Sequence, residues 1–295
     1  MTRPGVLPAT AVPATAVPAT AGTREELARH RAAMPGRVAA VLTMGALHAG
    51  HLALVERARA VADHVVVTVF VNPLQFAAGE DLDRYPRTLE ADLALLGDRA
   101  DLVFAPGAAE VYPAGAPQVR VSAGPLGDVL EGAHRPGHFD GVLTVVTVLL
   151  HLLRPDVAVF GEKDAQQLAL VRRLVADLAV PTRIEAVPTV RDADGLALSS
   201  RNAYLAPGDR RRALAVPAAL AAARAAARSG AAAEGVRAAA AAVLADADGV
   251  AADYVEVVDP VGFTPPAGPG EALALVAARV GATRLIDNAR VELRR

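Results

Sequence analysis

Lys163 is the one lysine among the 30 basic side chains of this chain, and it lies in Gly161-Glu162-Lys163-Asp164, directly after the apolar run Val157–Phe160. Where arginine fills every other basic position, a surviving lysine points to a need for a compact ammonium that a planar guanidinium does not mimic. The bland alternative is a solvated turn; against it, the loop after a buried strand is where α/β proteins hold their ligands. Other scarce polar types cluster in the same way. Asn72 and Gln75 share the segment Phe70–Phe76, Gln166 and Gln167 follow the lysine, and Ser199, Ser200 and Asn202 share Leu198–Asn202, in a chain with only three asparagines, four glutamines and four serines. Hydrogen-bonding groups kept together in an apolar chain suit a small-molecule site.

Three constellations carry chemistry. Thr43–His51 holds two glycines, Gly45 and Gly50, and two histidines three residues apart, His48 and His51, between an apolar run and a helical pattern. A glycine turn entering a helix presents free N–H groups and a positive dipole end to an anion, and two imidazoles there can donate to a triphosphate as pyrophosphate leaves. Zinc is the rival reading of the pair, with His138 or Asp140 as a third ligand, but the glycine turn fits phosphate better. The second constellation is Gly161–Asp164 with Gln166 and Gln167. Lys163 can meet phosphate as a point charge and Asp164 a ribose hydroxyl, unless Asp164 merely caps the next helix. The third, Val190–Gly195 followed by Leu198–Asn202, offers two hydroxyls and the Arg201 guanidinium to phosphate oxygens; its bland reading is a turn plus a serine cap.

These loops need a scaffold that brings strand ends together. Short apolar runs at Val38–Leu42, His64–Val71, Leu102–Phe104, Val157–Phe160 and Ile184–Val187 alternate with helical patterns at 50–62, 89–96, 139–153 and 165–178. That alternation predicts an α/β, Rossmann-like, mostly parallel sheet with helices on both faces. After Pro188 the pattern changes to Ala- and Arg-rich helix over 210–247, broken at Ser229-Gly230, and then strands at 254–258, 272–280 and 285–287. This predicts a smaller C-terminal α+β domain over 189–295 behind a nucleotide-binding domain over 23–188. The Pro-Ala-Thr repeats of residues 1–22 have little apolar bulk to offset ordering, so a disordered tail is expected there.

Composition excludes several functions. The chain has 295 residues, a net charge of −2 and a pI near 6.4, which gives no footprint for nucleic acid or a membrane surface. It has no cysteine, which removes disulfides, thiolate metal sites and cysteine nucleophiles and is compatible with the cytoplasm. The longest apolar stretch, Val142–Leu153, is too short to span a bilayer and contains His151. The N-terminal segment lacks an apolar signal core, and Arg3 alone is basic there.

The motifs Thr43–His51, Phe70–Phe76, Gly132–Asp140, Gly161–Gln167 and Gly195–Leu205, in this order and spacing, resemble the pantothenate synthetase (pantoate–β-alanine ligase) family. The likeness runs from about Thr23 through Asp253–Glu256 and Thr283–Asn288. It implies ATP-dependent condensation of pantoate with β-alanine through pantoyl adenylate, with magnesium accompanying ATP, in a cytoplasmic homodimer. It implies an ATP site of Met44, Gly45, Ala46, Leu47, His48, Ala49, Gly50, His51, Gly161, Glu162, Lys163, Asp164, Val190, Leu198, Ser199, Ser200 and Arg201. His48, His51, Lys163 and Arg201 would be its catalytic groups. Gln75, Gln167 and Asn72 would hold pantoate, and Gln75, Arg135 and His138 β-alanine. Leu42, Ala49 and Ala165 stand where the family usually has proline, glutamate and tyrosine; none removes a catalytic group, although Leu42 would change the pocket wall. The alternatives are another nucleotidyltransferase with the same histidine loop, or an ATP-binding module without turnover.

Overall fold

The computed structural model describes residues 17–77 and 79–294. Its first sheet contains β1 (Ala19–Ala21), β2 (Val38–Thr43), β3 (His64–Val69), β4 (Leu102–Phe104), β5 (Val157–Gly161) and β6 (Arg183–Val187). The order is β1-β4-β3-β2-β5-β6, and every neighbouring pair is parallel. Parallel neighbours require crossovers, and these supply α1 (Arg24–Ala32), α2 (Ala49–Val61), α3 (Leu89–Leu96), the short α4 (Ala108–Val111) and α5 (Glu131–His134), α6 (His138–Leu153) and α7 (Ala165–Asp177).

Both faces of the sheet are covered, for a reason visible in β2. Side chains alternate along a strand, and here Val38 and Ala40 pack with Leu27, Leu150, Leu153 and Val171 from α1, α6 and α7. Ala39 and Val41 pack on the other side with Val55, Ala58 and Leu96 from α2 and α3. A strand buried on both faces must be apolar throughout, which explains runs such as Val65–Val67.

The C-terminal part builds a separate antiparallel sheet from β7 (Val250–Val258), β8 (Gly270–Val280) and β9 (Thr283–Leu293). Three helices precede it: α8 (Pro207–Arg212), α9 (Ala215–Arg228) and α10 (Ala233–Ala245). Val216, Leu220, Val236 and Leu244 of α9 and α10 pack on Ala274, Val276, Ala289 and Val291. Other residues of this sheet, Leu273 and Leu275, meet Ala165 and Ala169 of α7 and so join it to the first sheet. The helical break at Ser229-Gly230 is where expected, with Gly230 at φ +87°, but α8 is an additional turn and β9 is far longer than the run 285–287.

One expectation is corrected. Residues 1–16 lie outside the described residues, but the end of the expected disordered tail is ordered: Ala19–Ala21 pair with Leu102–Phe104, and Ala21 is buried. The Ala19 N–H donates to the Asp101 carbonyl (3.2 Å), and the Ala21 carbonyl accepts from the Ala105 N–H (2.9 Å). A sheet edge recruits backbone groups, so the lack of apolar bulk does not forbid the strand. Thr23 then caps α1: its Oγ accepts from the Glu26 N–H while the Glu26 carboxylate accepts from the Thr23 N–H, both at 3.2 Å.

Candidate active site

From β2 the chain proceeds through β3 and β4 on one side, and then through β5 and β6 on the other. The switch point therefore lies between β2 and β5, adjacent strands paired at Ala39–Val157 through Val41–Val159. A ligand crevice is expected beyond the C-terminal ends of these two strands. The histidine loop leaves one and the lysine loop leaves the other.

The histidine loop is shaped by hydrogen bonds within the protein. The Thr43 hydroxyl donates to the Thr68 carbonyl (2.6 Å) and accepts from the Gly45 N–H (3.1 Å), turning the chain out of β2. Gly45 has φ +82°, and a Cβ there would fall 2.9 Å from Val69 and 3.0 Å from the Asp92 carboxylate. Ala46 also has positive φ, which carries strain for a residue with a Cβ. Buried Asp92 of α3 offsets it by accepting from the Ala46 (3.1 Å) and Leu47 (2.8 Å) N–H groups. Asp92 carries no sequence motif; its only signal is a lone acid at a core-facing position of Leu89–Leu96.

His48 is the N-cap of α2, and its Nδ1 accepts from the Gly50 N–H (3.1 Å). His51 Nδ1 accepts in turn from the His48 N–H (3.2 Å), so the two histidines form a reciprocal cap with ring centroids 4.1 Å apart. An accepting Nδ1 fixes each neutral ring as the Nε2–H tautomer, leaving a donor for the crevice. Burial, with His48 and Lys163 adding to it, pushes His51 down to about 3. Burial and the Lys163 charge also lower His48. Both rings are thus neutral donors at pH 7, and Lys163 supplies the positive charge.

Beside them lies the amide pocket. Asn72 is 1 % exposed and fully committed: its Nδ2 donates to Gln75 Oε1 and to the Gly141 carbonyl, both at 3.1 Å. Its Oδ1 accepts from the Leu74 N–H (3.2 Å) and the Tyr112 hydroxyl (2.8 Å). Gly141 allows this approach, since a Cβ there would fall 2.2 Å from the Leu74 carbonyl oxygen. Asn72 therefore positions Gln75, whose Nε2 is 3.1 Å from Met44 Sδ. The adjacent glutamines separate by helix face. Gln166 is buried and donates to the Leu126 (2.8 Å) and Val129 (2.9 Å) carbonyls, whereas Gln167 faces the crevice.

Arg135 and His138, the candidates for the β-alanine carboxylate, carry several contacts of their own. Arg135 donates to both Glu80 oxygens (2.8 and 2.7 Å) and to the Gln75 carbonyl (3.3 Å), and its Nη1 lies 3.0 Å from His138 Nε2. His138 Nδ1 lies 2.8 Å from the same Gln75 carbonyl. The arginine can only donate and the carbonyl can only accept, so His138 is the neutral Nδ1–H tautomer. Burial first, then the Arg135 charge, pushes it down to about 4. The pair braces the Gln75 backbone while also lining the crevice. Asp140, weighed as a zinc ligand, accepts instead from the Ala123 N–H (2.7 Å).

The third loop closes the crevice from the C-terminal side. Val190, Leu198, Ser199, Ser200 and Arg201 line the same cavity of about 250 Å³ as Met44, His48, Gly50, His51, Gly161, Lys163 and Asp164. It adjoins a larger space of about 530 Å³ between the two sheets, with Lys163, Gln167 and Arg201 on both walls. Ser199 does cap a turn, accepting from the Arg201 N–H (3.3 Å). Asp164 stands at the N-cap of α7 without a side-chain capping bond and lies 3.6 Å from Lys163 Nζ. Gly45, Ala46, Leu47 and Ala49 build the turn rather than the wall, and the Glu162 carboxylate points to Arg290 (3.1 Å). Leu42 is part of the wall, as expected.

A parallel sheet with a histidine loop and a lysine loop at its switch point, and a polar amide pocket alongside, is the framework of an α/β enzyme. The pantoate–beta-alanine ligase family model matches residues 16–290, and the chain belongs to that family. It is 58 % identical over 274 residues to the pantothenate synthetase of Acidothermus cellulolyticus, covering 91 % of this chain and 90 % of that one. It is 60 % identical over 251 residues to pantothenate synthetase 4 of Frankia alni, covering 85 % and 81 %. Among solved structures, the pantothenate synthetase of Thermus thermophilus superposes with a TM-score of 0.87 at 50 % identity, covering 92 % of this chain and 98 % of that one. The pantoate-beta-alanine ligase of Francisella tularensis, complexed with beta-gamma ATP and beta-alanine, gives 0.77 at 32 % identity, covering 92 % and 97 %.

Proposed function

We propose that the crevice between β2 and β5 performs the ATP-dependent condensation of pantoate with β-alanine in two half-reactions. In the first, a pantoate carboxylate oxygen bonds to the α-phosphorus while the bond to the β-phosphate oxygen breaks, giving pantoyl adenylate and pyrophosphate. In the second, the β-alanine amine bonds to the acyl carbon and AMP leaves. Neither step needs a protein nucleophile; both need alignment and stabilisation of charge on phosphate. The observation that carries this reading is the convergence of His48, His51 and Lys163 on a cavity also lined by Gln75 and Gln167.

In this reading the Nε2–H groups of His48 and His51 and the Lys163 ammonium take up the charge of the departing pyrophosphate. Ser199, Ser200 and Arg201 close over the β- and γ-phosphates, with Leu198 beside them, and Val190 borders adenine. Gln75 and Gln167 hold the carboxylate and hydroxyls of pantoate, with Asn72 acting through Gln75. The β-alanine amine approaches beside Gln75, whose backbone Arg135 and His138 support. Residues 23–188 and 189–295 serve as base and lid. Among the described residues no group of three or more His, Asp and Glu could hold a metal. The half-exposed Asp164 carboxylate, on the crevice wall, is the side chain that would hold a magnesium ion accompanying the triphosphate. The magnesium would neutralise phosphate charge. No helix among the described residues is long and apolar enough to cross a membrane. On the family resemblance alone, we place the enzyme in the cytoplasm as a homodimer.

The deciding experiment is exchange of labelled pyrophosphate into ATP with magnesium present and β-alanine omitted. Exchange that requires pantoate is the expected result. Folded, ATP-binding protein without exchange would point to another acceptor or to a module without turnover.

A further inference from the structure

Asn288 is the last of the three asparagines, and the reaction above leaves it without a role. It lies on β9 in the C-terminal sheet and is 8 % exposed. Its Nδ2 donates to the carbonyls of two successive residues in the loop after β5, Glu162 (2.8 Å) and Lys163 (2.9 Å). Both N–H bonds of the amide are spent on the backbone of the one lysine-bearing turn. That turn has one other backbone tie just before the lysine, from the Glu162 N–H to the Val187 carbonyl (2.8 Å).

Asn288 is itself held from its own side. Its backbone N–H donates to Asp287 Oδ1 (2.8 Å), and Asp287, whose side chain is 1 % exposed, accepts from two nitrogens of Arg191 (2.6 and 2.9 Å). Arg191 also donates to the Gly195 (3.1 Å) and Asn288 (3.4 Å) carbonyls. Two residues further on, Arg290 meets the Glu162 carboxylate (3.1 Å). Strand β9 thus grips the lysine loop at Glu162 and Lys163, and through Arg191 it also grips the segment leading to Ser199–Arg201.

We propose that Asn288 is a positioning residue for Lys163: fixing the carbonyls of residues 162 and 163 sets the direction in which the lysine leaves the backbone. A lysine is a point charge on a stem with four rotatable bonds, so its reach to a phosphate depends on where that stem starts. Small misplacement of a charge-stabilising group costs rate steeply. The inference rests on Lys163 meeting the triphosphate. It makes the C-terminal sheet part of the adenylation machinery rather than only a cover.

The test is a double-mutant cycle in the full-length enzyme, with Asn288→Ala, Lys163→Ala and the double variant. It reads the dissociation constant of a non-hydrolysable ATP analogue, alongside pantoate-dependent pyrophosphate exchange. Asn288→Ala should weaken analogue binding about fivefold and slow exchange about thirtyfold, with KM for pantoate unchanged. In the Lys163→Ala background the same substitution should change analogue affinity by less than about twofold. Equal losses in both backgrounds would make Asn288 a general tie between the two sheets and overturn the proposal, as would an unimpaired, folded Asn288→Ala. If Lys163→Ala binds the analogue and exchanges normally, the phosphate role of the lysine falls first. Should Asn288→Ala not fold, Asn288→Gln keeps the donors displaced by one methylene and completes the same cycle.

Discussion

The Arg201 guanidinium meets the Asp81 carboxylate through two side-by-side hydrogen bonds, Nε to Oδ2 at 3.1 Å and Nη2 to Oδ1 at 3.0 Å. Burial pushes the Asp81 carboxyl up, but the hydrogen bond and charge of Arg201 outweigh it and keep the group ionised below its ordinary range. The arginine assigned to the phosphates is therefore already paired with an anion. The Tyr85 hydroxyl lies 3.2 Å from Ser200 Oγ, and Tyr204 donates to the Arg84 carbonyl at the same distance, so segment 81–85 lies latched against segment 200–204.

In the proposed reaction a triphosphate must compete with Asp81 for Arg201. Asp81→Asn should release the guanidinium and lower KM for ATP about fivefold, corresponding to about 1 kcal/mol for a partly exposed pair. Steady-state kinetics at saturating pantoate would measure it. A rise in KM would mean that Asp81 aims Arg201 at the phosphate instead of contesting it.

Lys163→Ala should cut pantoate-dependent pyrophosphate exchange by on the order of 10²–10³, the cost of removing one donor to developing charge. Lys163→Arg should recover little of it. The lysine side chain is 19 % exposed, beside Asp164 and the two histidine rings, and a planar fork does not present the same compact charge there. Wild-type exchange in the arginine variant would show that any cation suffices.

The elements around β2 and β5 were readable because each is a short apolar run with a glycine turn or a helix directly behind it. The crevice between them followed from the rule for parallel strand ends. What stayed hidden depends on contacts distant in sequence. Asp92 reaches Ala46, Arg201 reaches Asp81, and Asn288 reaches Lys163 across 46, 120 and 125 positions, and no local spacing encodes such pairs. Residue type alone could not separate Gln166 from Gln167, since neighbours on a helix point about 100° apart and only the packed structure says which faces the cavity. Arg135 and His138 show a related limit. Their types suit a carboxylate ligand, and no local spacing announces that they also meet Glu80 and the Gln75 carbonyl. Strand β9 was read too short because Asn288 and Arg290 look like loop residues until the lysine loop is seen beside them.

The buried neutral histidines predict loss of stability in mild acid. His51 is lowered to about 3 and His138 to about 4, from an ordinary value near 6.5. Below pH 6.5 the unfolded chain takes up protons that the folded chain refuses, so stability falls as the pH falls. Each histidine contributes at most roughly 1.4 kcal/mol per pH unit, down to about pH 3 for His51 and about pH 4 for His138. The urea midpoint should therefore drop between pH 7.5 and pH 5, above the range in which carboxylates titrate. A folded His138→Gln variant should show a shallower drop, and bound ATP should flatten it further by raising His51. A midpoint constant over this interval would mean that neither ring is held neutral.

Tyr112 tests whether Asn72 acts on pantoate through Gln75. Its hydroxyl, on a largely buried ring, donates to Asn72 Oδ1 at 2.8 Å, and the opposite end of the same amide holds Gln75 Oε1. Tyr112→Phe keeps the ring packed against Phe70 and deletes one hydrogen bond. The cost in stability should be about 1 kcal/mol. Asn72 would keep its other three partners but lose the bond that resists rotation of its amide. Gln75 would then sample more orientations, which should raise KM for pantoate a few-fold and leave KM for ATP unchanged, because the triphosphate groups lie on other loops. Equal rises in both constants would indicate a loosened crevice rather than a loosened glutamine. An unchanged KM for pantoate in a folded Tyr112→Phe enzyme would mean that Asn72 holds Gln75 without help from the Tyr112 hydroxyl.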